Sequence, residues 1–254
     1  MIAPAVGEWP KEDKALKALK RSGFRSISVV RKCLIPYFRV SYELESSGGS
    51  TLGGVTAINA TLAPYPKGLS EAIPLIRPLI PSMECSNEPV SGDIVLLPQT
   101  TESPKTFLEE IVWWLSELEK ELEPTAEKLR KMHSTMKRSI LIPMPPGIAT
   151  AERRISDSLA RLVAQREAIA LLFGLSRGET IESISVLSHD LVYHRTLLAV
   201  SADGVPLVTE VDPRGKTVLD RGLLRLIQRV PEAADPILKA LQGSQPGGRF
   251  PARG

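Results

Sequence analysis

The run Ser26-Ile-Ser-Val-Val30 returns as Ser183-Ile-Ser-Val-Leu187, and at the same spacing Ile35-Pro-Tyr-Phe-Arg-Val-Ser-Tyr42 falls on Val192-Tyr-His-Arg-Thr-Leu-Leu-Ala199. A chain that carries one unit twice must fold it twice, so an architecture that suits one copy also constrains the other. In the second copy, Asp203-Gly204 stands between two apolar runs. Both residues tolerate positive φ, which makes the pair a strong hairpin signal. The corresponding stretch of the first copy is Glu45-Ser-Ser-Gly-Gly-Ser-Thr-Leu-Gly-Gly54, and by comparison it reads as a longer hairpin loop.

That glycine-rich stretch has the look of a phosphate loop without its working parts. A Walker loop needs a Lys and a hydroxyl after its second glycine, so that the side chains reach the outer phosphates and magnesium. Here Gly54 and Val55 occupy those places. The G-x-G-x-x-G spacing of a dinucleotide loop is missing too, and Val55 to Leu62 alternates like a strand instead of opening a helix.

Each copy begins with a helix. The first runs from about Pro10 to Ser22, with Pro10 suited to an opening turn and Gly23-Phe24 to a left-handed cap. The second helix is expected to end near Gly178. The strand Ile181 to Leu187 follows, then the hairpin, then a returning strand and turn from Val208 to Val218. The unit therefore reads helix, strand, strand, strand.

The run Tyr193 to Val200, followed by Asp203-Gly204, Val211-Asp212, Gly215-Lys216 and Leu219, resembles PepSY-type units. These are small α+β modules with a helix packed on an antiparallel sheet. The likeness covers about fifty residues of the second copy; in the first, Asn59 stands near the place of the Asp and the Gly-Lys is missing. It implies a binding or regulatory module with no catalytic residues to carry over, although such modules are usually exported.

Between the copies the pattern is helical. Ser103 and Pro104 can open a helix whose apolar residues Leu108, Ile111, Leu115, Leu118 and Leu122 alternate steps of three and four. After Pro124 the phase resumes at Leu129, Met132 and Met136, so one kinked helix, or two in line, runs to about Arg138. Phe107, Val112, Trp113 and Trp114 widen the apolar face of the first half, which is expected to be buried, while the second half projects as an arm. Thr150 to Leu175 repeats the spacing and supplies a partner for a coiled-coil-like helical hairpin. The connection, Ser139-Ile-Leu-Ile-Pro-Met-Pro-Pro-Gly-Ile-Ala149, is apolar where such turns are usually short and polar. Ile140, Leu141, Ile142 and Met144 are either an exposed docking tip or core residues of an arm that folds back.

Composition narrows the function classes. With 254 residues, 43% hydrophobic and 24% charged, the chain can bury one large core or two smaller ones. Its N-terminus lacks a basic start followed by an apolar run, and its longest uncharged apolar stretch, Ala168 to Leu175, is too short to span a bilayer. A cytoplasmic protein is expected. Cys33 and Cys85 are too few for a metal quartet or a disulfide framework. They read as buried free thiols, with a single bridge as the alternative. Only seven Asn and Gln residues, with Arg outnumbering Lys, point to a thermophilic source, where such a bridge survives.

The three histidines do not assemble a site. His189 and His194 fall on opposite faces of a strand, His133 has no ligand four residues away, and no Ser sits in a nucleophile elbow. No catalytic residue, metal ligand or cofactor is expected, and Asp212 reads as a turn former. The net charge of +3 is uneven: nine cationic residues between Glu8 and Arg39 face three acidic ones. Such a segment can mark nucleic-acid binding.

These readings converge on an α+β fold. Two related helix-plus-antiparallel-sheet units, residues 10–100 and 176–240, flank an inserted helical hairpin at 103–175, with a frayed tail at 243–254. The two units are expected to pair their strands into one sheet. Two functions follow. The first is a non-catalytic interaction or adaptor protein, monomeric or homo-oligomeric, whose protein partner of unknown identity binds the helical arm and its apolar tip at Ile140, Leu141, Ile142 and Met144. The second is a nucleic-acid accessory protein using Lys14, Lys17, Lys20 and Arg21. An enzyme with a site between the repeats comes third.

Overall fold

The computed structural model describes residues 4–61, 73–83, 85–86, 93–98, 103–138, 146–212 and 214–243. The chain forms an α+β fold in two compact units, Met1–Tyr42 with Gly53–Pro104 and Val186–Gly254, and Glu43–Leu52 with Lys105–Ser185. Among the described residues, no helix is long and apolar enough to cross a membrane.

The first unit is built on a sheet. The strands are β1 (Ala5–Val6), β2 (Ile27–Ser46), β3 (Thr51–Asn59), β4 (Cys85–Ser86), β5 (Ile94–Val95), β6 (Ile181–Ser201), β7 (Pro206–Val211) and β8 (Thr217–Leu219), with the end of β2, the first residues of β3 and the start of β6 counted in the second unit, and the order is β3-β2-β6-β1-β4. β5 pairs with β2 in parallel, and β7 lies between β6 and β8. β2 and β6 are neighbours, so the two copies share one sheet as the repeat led us to expect. β1 runs parallel to β6 at Ala5↔Tyr193, and β7 continues along β6 antiparallel from Leu197↔Thr209 to Val200↔Pro206.

The two hairpins turn alike. Gly49 N–H donates to Ser46 O and Ser46 N–H to Ser50 O; Gly204 N–H donates to Ser201 O and Ser201 N–H to Val205 O. Gly49 and Gly204 take φ of 73° and 76°, which only glycine adopts freely. Ser46 and Ser201 are 155 residues apart, whereas the strand motif repeats after 157. The difference of two is one side-chain period of a strand, so each residue keeps its face.

The second glycine pair of the first loop has another cause. Gly54 sits on β3, where a Cβ would overlap the Tyr42 hydroxyl and stand 2.6 Å from its Cζ. The Tyr42 ring therefore lies over a position that must have no side chain, whereas a Cβ at Gly53 meets only Tyr42 O at 3.9 Å. Gly54→Ala is expected to cost about 1–3 kcal/mol by overpacking, and Gly53→Ala less than about 1 kcal/mol. Thermal melts of both variants check this; equal melting temperatures would count against it.

Helix α1 (Glu12–Arg21) covers one face of the sheet. Its Leu19 packs with Ala199, Leu207 and Leu219, with Phe24, Ile27 and Leu224 at the edge. Acidic Glu12 and Asp13 open the helix and basic Lys20 and Arg21 close it, in keeping with its dipole. At its end Gly23 N–H donates to Lys20 O and Phe24 N–H to Leu19 O, with Gly23 at φ 97°. His194 and Glu210 stand at alternate positions to Ala199 and Leu207 and so face the other side. Val192 to Val200 are all buried, as expected of a strand covered on both faces.

The second unit contains the long helices α2 (Pro104–Arg138) and α3 (Pro146–Leu172). α2 is one helix with Pro124 inside it. Phe107, Leu108, Ile111 and Val112 are buried as expected, but Trp113 and Trp114 are 56% and 40% exposed. At about 100° per residue, Trp113 lies roughly 140° round from Leu108, outside the stripe. α3 ends earlier than the sequence implied. Its cap is Gly174, at φ 80°, with Leu175 N–H donating to Ala170 O, and the Gly178 expected to end it belongs to a later turn. In this unit the hairpin tip meets the start of β6: Ser47 N–H donates to Thr180 O, and Ser183 Oγ to Glu45 Oε2.

Candidate functional site

The groove of interest lies in the first unit, between α1, the β7–β8 turn and the start of α4 (Arg221–Arg229). Its volume is about 760 Å³. Lys14, Lys17 and Arg21 line it from α1, Lys216 from the turn, and Arg221 from α4, with Ala18, Ser22, Gly215, Thr217, Val218 and Leu219 between them. Five cations thus surround one opening, and no carboxylate lines it among the described residues. None of the five forms an ion pair among the described residues.

Helical periodicity explains the α1 contribution. Lys14, Lys17 and Arg21 follow steps of three and four and share a face, with Ala15 and Leu19 buried beside it. Lys20, the fourth basic residue of the expected set, is exposed but does not line the groove. The other two cations come from rigid supports. The Asp212 carboxylate accepts from Arg214 N–H at 3.0 Å and Lys216 N–H at 2.8 Å, which ties the turn carrying Lys216. Asp212 is therefore the turn former its sequence context implied. Asp220 caps α4, its Oδ1 accepting from Leu223 N–H at 2.9 Å, and so places Arg221 in the first turn.

Asp220 also belongs to a buried polar cluster that the sequence did not reveal. Arg77 donates through Nη1 to Asp220 Oδ2 at 2.5 Å and through Nη2 to Glu210 Oε1. His194 Nε2 lies 3.2 Å from the other Glu210 oxygen, and the Tyr37 ring stands edge-on to His194 at 6.1 Å. Asn59 Nδ2 is 3.5 Å from the Tyr37 hydroxyl. Burial opposes the charge of Arg77, but Asp220 foremost, with Glu210, holds it protonated. Burial likewise opposes the charge of Glu210, yet the hydrogen bond with His194 and the charge of Arg77 hold its carboxyl below the usual range. Asp220 is pushed up by its burial in spite of Arg77, with Glu210 adding to the shift. One guanidinium cannot compensate two buried carboxylates equally, and Glu210 has the histidine in addition.

His194 Nδ1 is buried without a hydrogen-bond partner. Gly7, at φ 76°, passes over it so closely that a Cβ would stand 3.3 Å from Nδ1. Arg77, His194 and Glu210 do not line the groove. The cluster instead joins the segment around Arg77 to β6, β7 and the cap of α4.

The remaining candidates are dispersed. Ile140, Leu141, Ile142 and Met144 lie outside the described residues, as does the tail beyond Gly243. Cys33 is a free, buried thiol, and burial pushes it up to about 12, which leaves it protonated and unreactive. His189 is exposed, edge-on to Phe38, while His194 is buried, so the two do not converge. Among the described residues no group of three His, Cys, Asp or Glu side chains could hold a metal ion. No family model matches the chain, and no curated protein and no solved structure matches it.

Proposed function

We propose that this chain is a nucleic-acid accessory protein that binds phosphates through the groove between α1 and β8. The observation that carries this reading is the lining itself: Lys14, Lys17, Arg21, Lys216 and Arg221 around one opening, with no acidic side chain among them. Unpaired cations gathered in a concave site attract polyanions, because their fields add and each phosphate contact releases condensed counterions. Three of the five were already marked by the basic run of the first helix. The protein-partner reading has one supporting observation, the exposed Trp113 and Trp114 of α2, which stand edge-to-face at 5.3 Å.

One set of variants separates the two surfaces. Lys17→Gln is expected to weaken binding to a single-stranded oligonucleotide by about three- to tenfold and to reduce the salt dependence by roughly one phosphate contact. Lys20→Gln, on the same helix but outside the groove, should leave affinity within about twofold, and so should Trp113→Ser with Trp114→Ser. Loss of nucleic-acid binding from the tryptophan pair, with Lys17→Gln unchanged, would place the site on α2 and refute the groove.

A further inference from the structure

Resting on the phosphate-binding reading, we propose that the groove receives a compact phosphate chain, the 5′-triphosphate end of a single-stranded RNA, in preference to a stretch of phosphodiester backbone. Size is the first reason. Treated as a sphere, a volume of 760 Å³ is about 11 Å across, within the range of small-molecule pockets.

Charge density is the second. Five cations converge on this space. A single strand threading it would bring its charges one at a time, roughly three over about 11 Å at about 3.4 Å per strand charge, and leave cations unmatched. A triphosphate end carries about four negative charges at neutral pH, and the first phosphodiester after it makes about five. The match holds only when the phosphates are adjacent.

Chemistry of the lining is the third. Among the described residues it contains no aromatic ring on which a base could stack and no Asn, Gln, Asp or Glu to read a base edge. What it offers besides ammonium and guanidinium groups is the Ser22 and Thr217 hydroxyls, which suit phosphate oxygens. Preorganisation is the fourth. Asp212 ties the Lys216 turn, and Asp220, held by Arg77, caps the helix that starts with Arg221, so the backbone that carries these two cations is fixed before a ligand arrives. Exposed Arg25 and Arg214 stand on the segments next to the groove, where the nucleotides that follow the end would pass.

The test uses the full chain and three probes: a 3′-labelled single-stranded RNA with a 5′-triphosphate, the same RNA with a 5′-hydroxyl, and inorganic tripolyphosphate as competitor. At about 150 mM salt, where isolated backbone contacts are weakened, the triphosphorylated RNA should bind at least about tenfold more tightly than the hydroxyl form. Tripolyphosphate should compete, but at least about tenfold more weakly than the triphosphorylated RNA. In Lys216→Gln/Arg221→Gln, both exposed positions, the two RNAs should bind alike while the melting temperature holds. Equal affinity of the wild type for both RNAs would overturn the end-recognition proposal and leave the phosphate-binding function standing. Tripolyphosphate binding as tightly as the triphosphorylated RNA would assign the groove to free polyphosphate and also overturn it. Failure of all three probes at low salt would refute both readings.

Discussion

Arg77→Met is expected to lower the melting temperature by on the order of 10 °C at neutral pH. The substitution takes the guanidinium from between Glu210 and Asp220, whose side chains are 10% and 3% exposed. Breaking a buried pair by removing one partner costs about 3–5 kcal/mol, because the charge left behind is neither solvated nor paired. In a chain of this size each kcal/mol is worth about 2–4 °C. The loss has a pH signature. Arg77 lowers the pKa of both carboxyls, so both rise in the variant. The advantage of the wild type is full above the variant's carboxyl pKa values and shrinks as pH falls through them, since protonated carboxyls no longer need the cation. Melts in parallel from neutral to mildly acidic pH should therefore converge. Adding Glu210→Gln and Asp220→Asn to Arg77→Met should restore much of the lost stability, with the cap oxygen of residue 220 kept. A variant that melts within about 1 kcal/mol of the wild type would mean that the cluster does not hold these segments together.

The parts of this fold that were legible in the sequence are those written locally. Strand alternation, the Asp203-Gly204 turn and the Gly23-Phe24 cap each depend on a few neighbouring residues, and each is present. The shared sheet followed from the repeat. Long-range pairing left no such trace: Arg77 meets Glu210 and Asp220 across 133 and 143 residues, from a proline-rich segment without periodicity. Nothing in Glu210 or Asp220 alone distinguishes a buried partner from a solvated carboxylate. The groove was half legible for the same reason. Three of its cations share a helical face and could be read from spacing, while Lys216 and Arg221 arrive from the other copy through the sheet. Lys20 belongs to the same run of charge but falls on another face of the helix, which the run alone does not show. Trp113 and Trp114 differ in the same way: their apolar character widens the stripe in composition, while their positions round the helix leave them exposed.

The groove is the central claim, and neutralising it entirely should have the largest effect on binding. In Lys14→Gln/Lys17→Gln/Arg21→Gln/Lys216→Gln/Arg221→Gln every altered side chain is exposed, so folding should be kept. The decisive measurement is the slope of log affinity against log salt for a 5′-hydroxyl single-stranded oligonucleotide, wild type beside this variant. Each phosphate neutralised contributes about 0.7 to the slope for a single strand. The account predicts a wild-type slope steeper by about 2 than that of the variant, with about three phosphates of the strand engaged, and a variant affinity at low salt reduced by at least about a hundredfold. Equal slopes and equal affinities in two proteins that melt together would contradict it, because the phosphates would then be bound elsewhere on the chain.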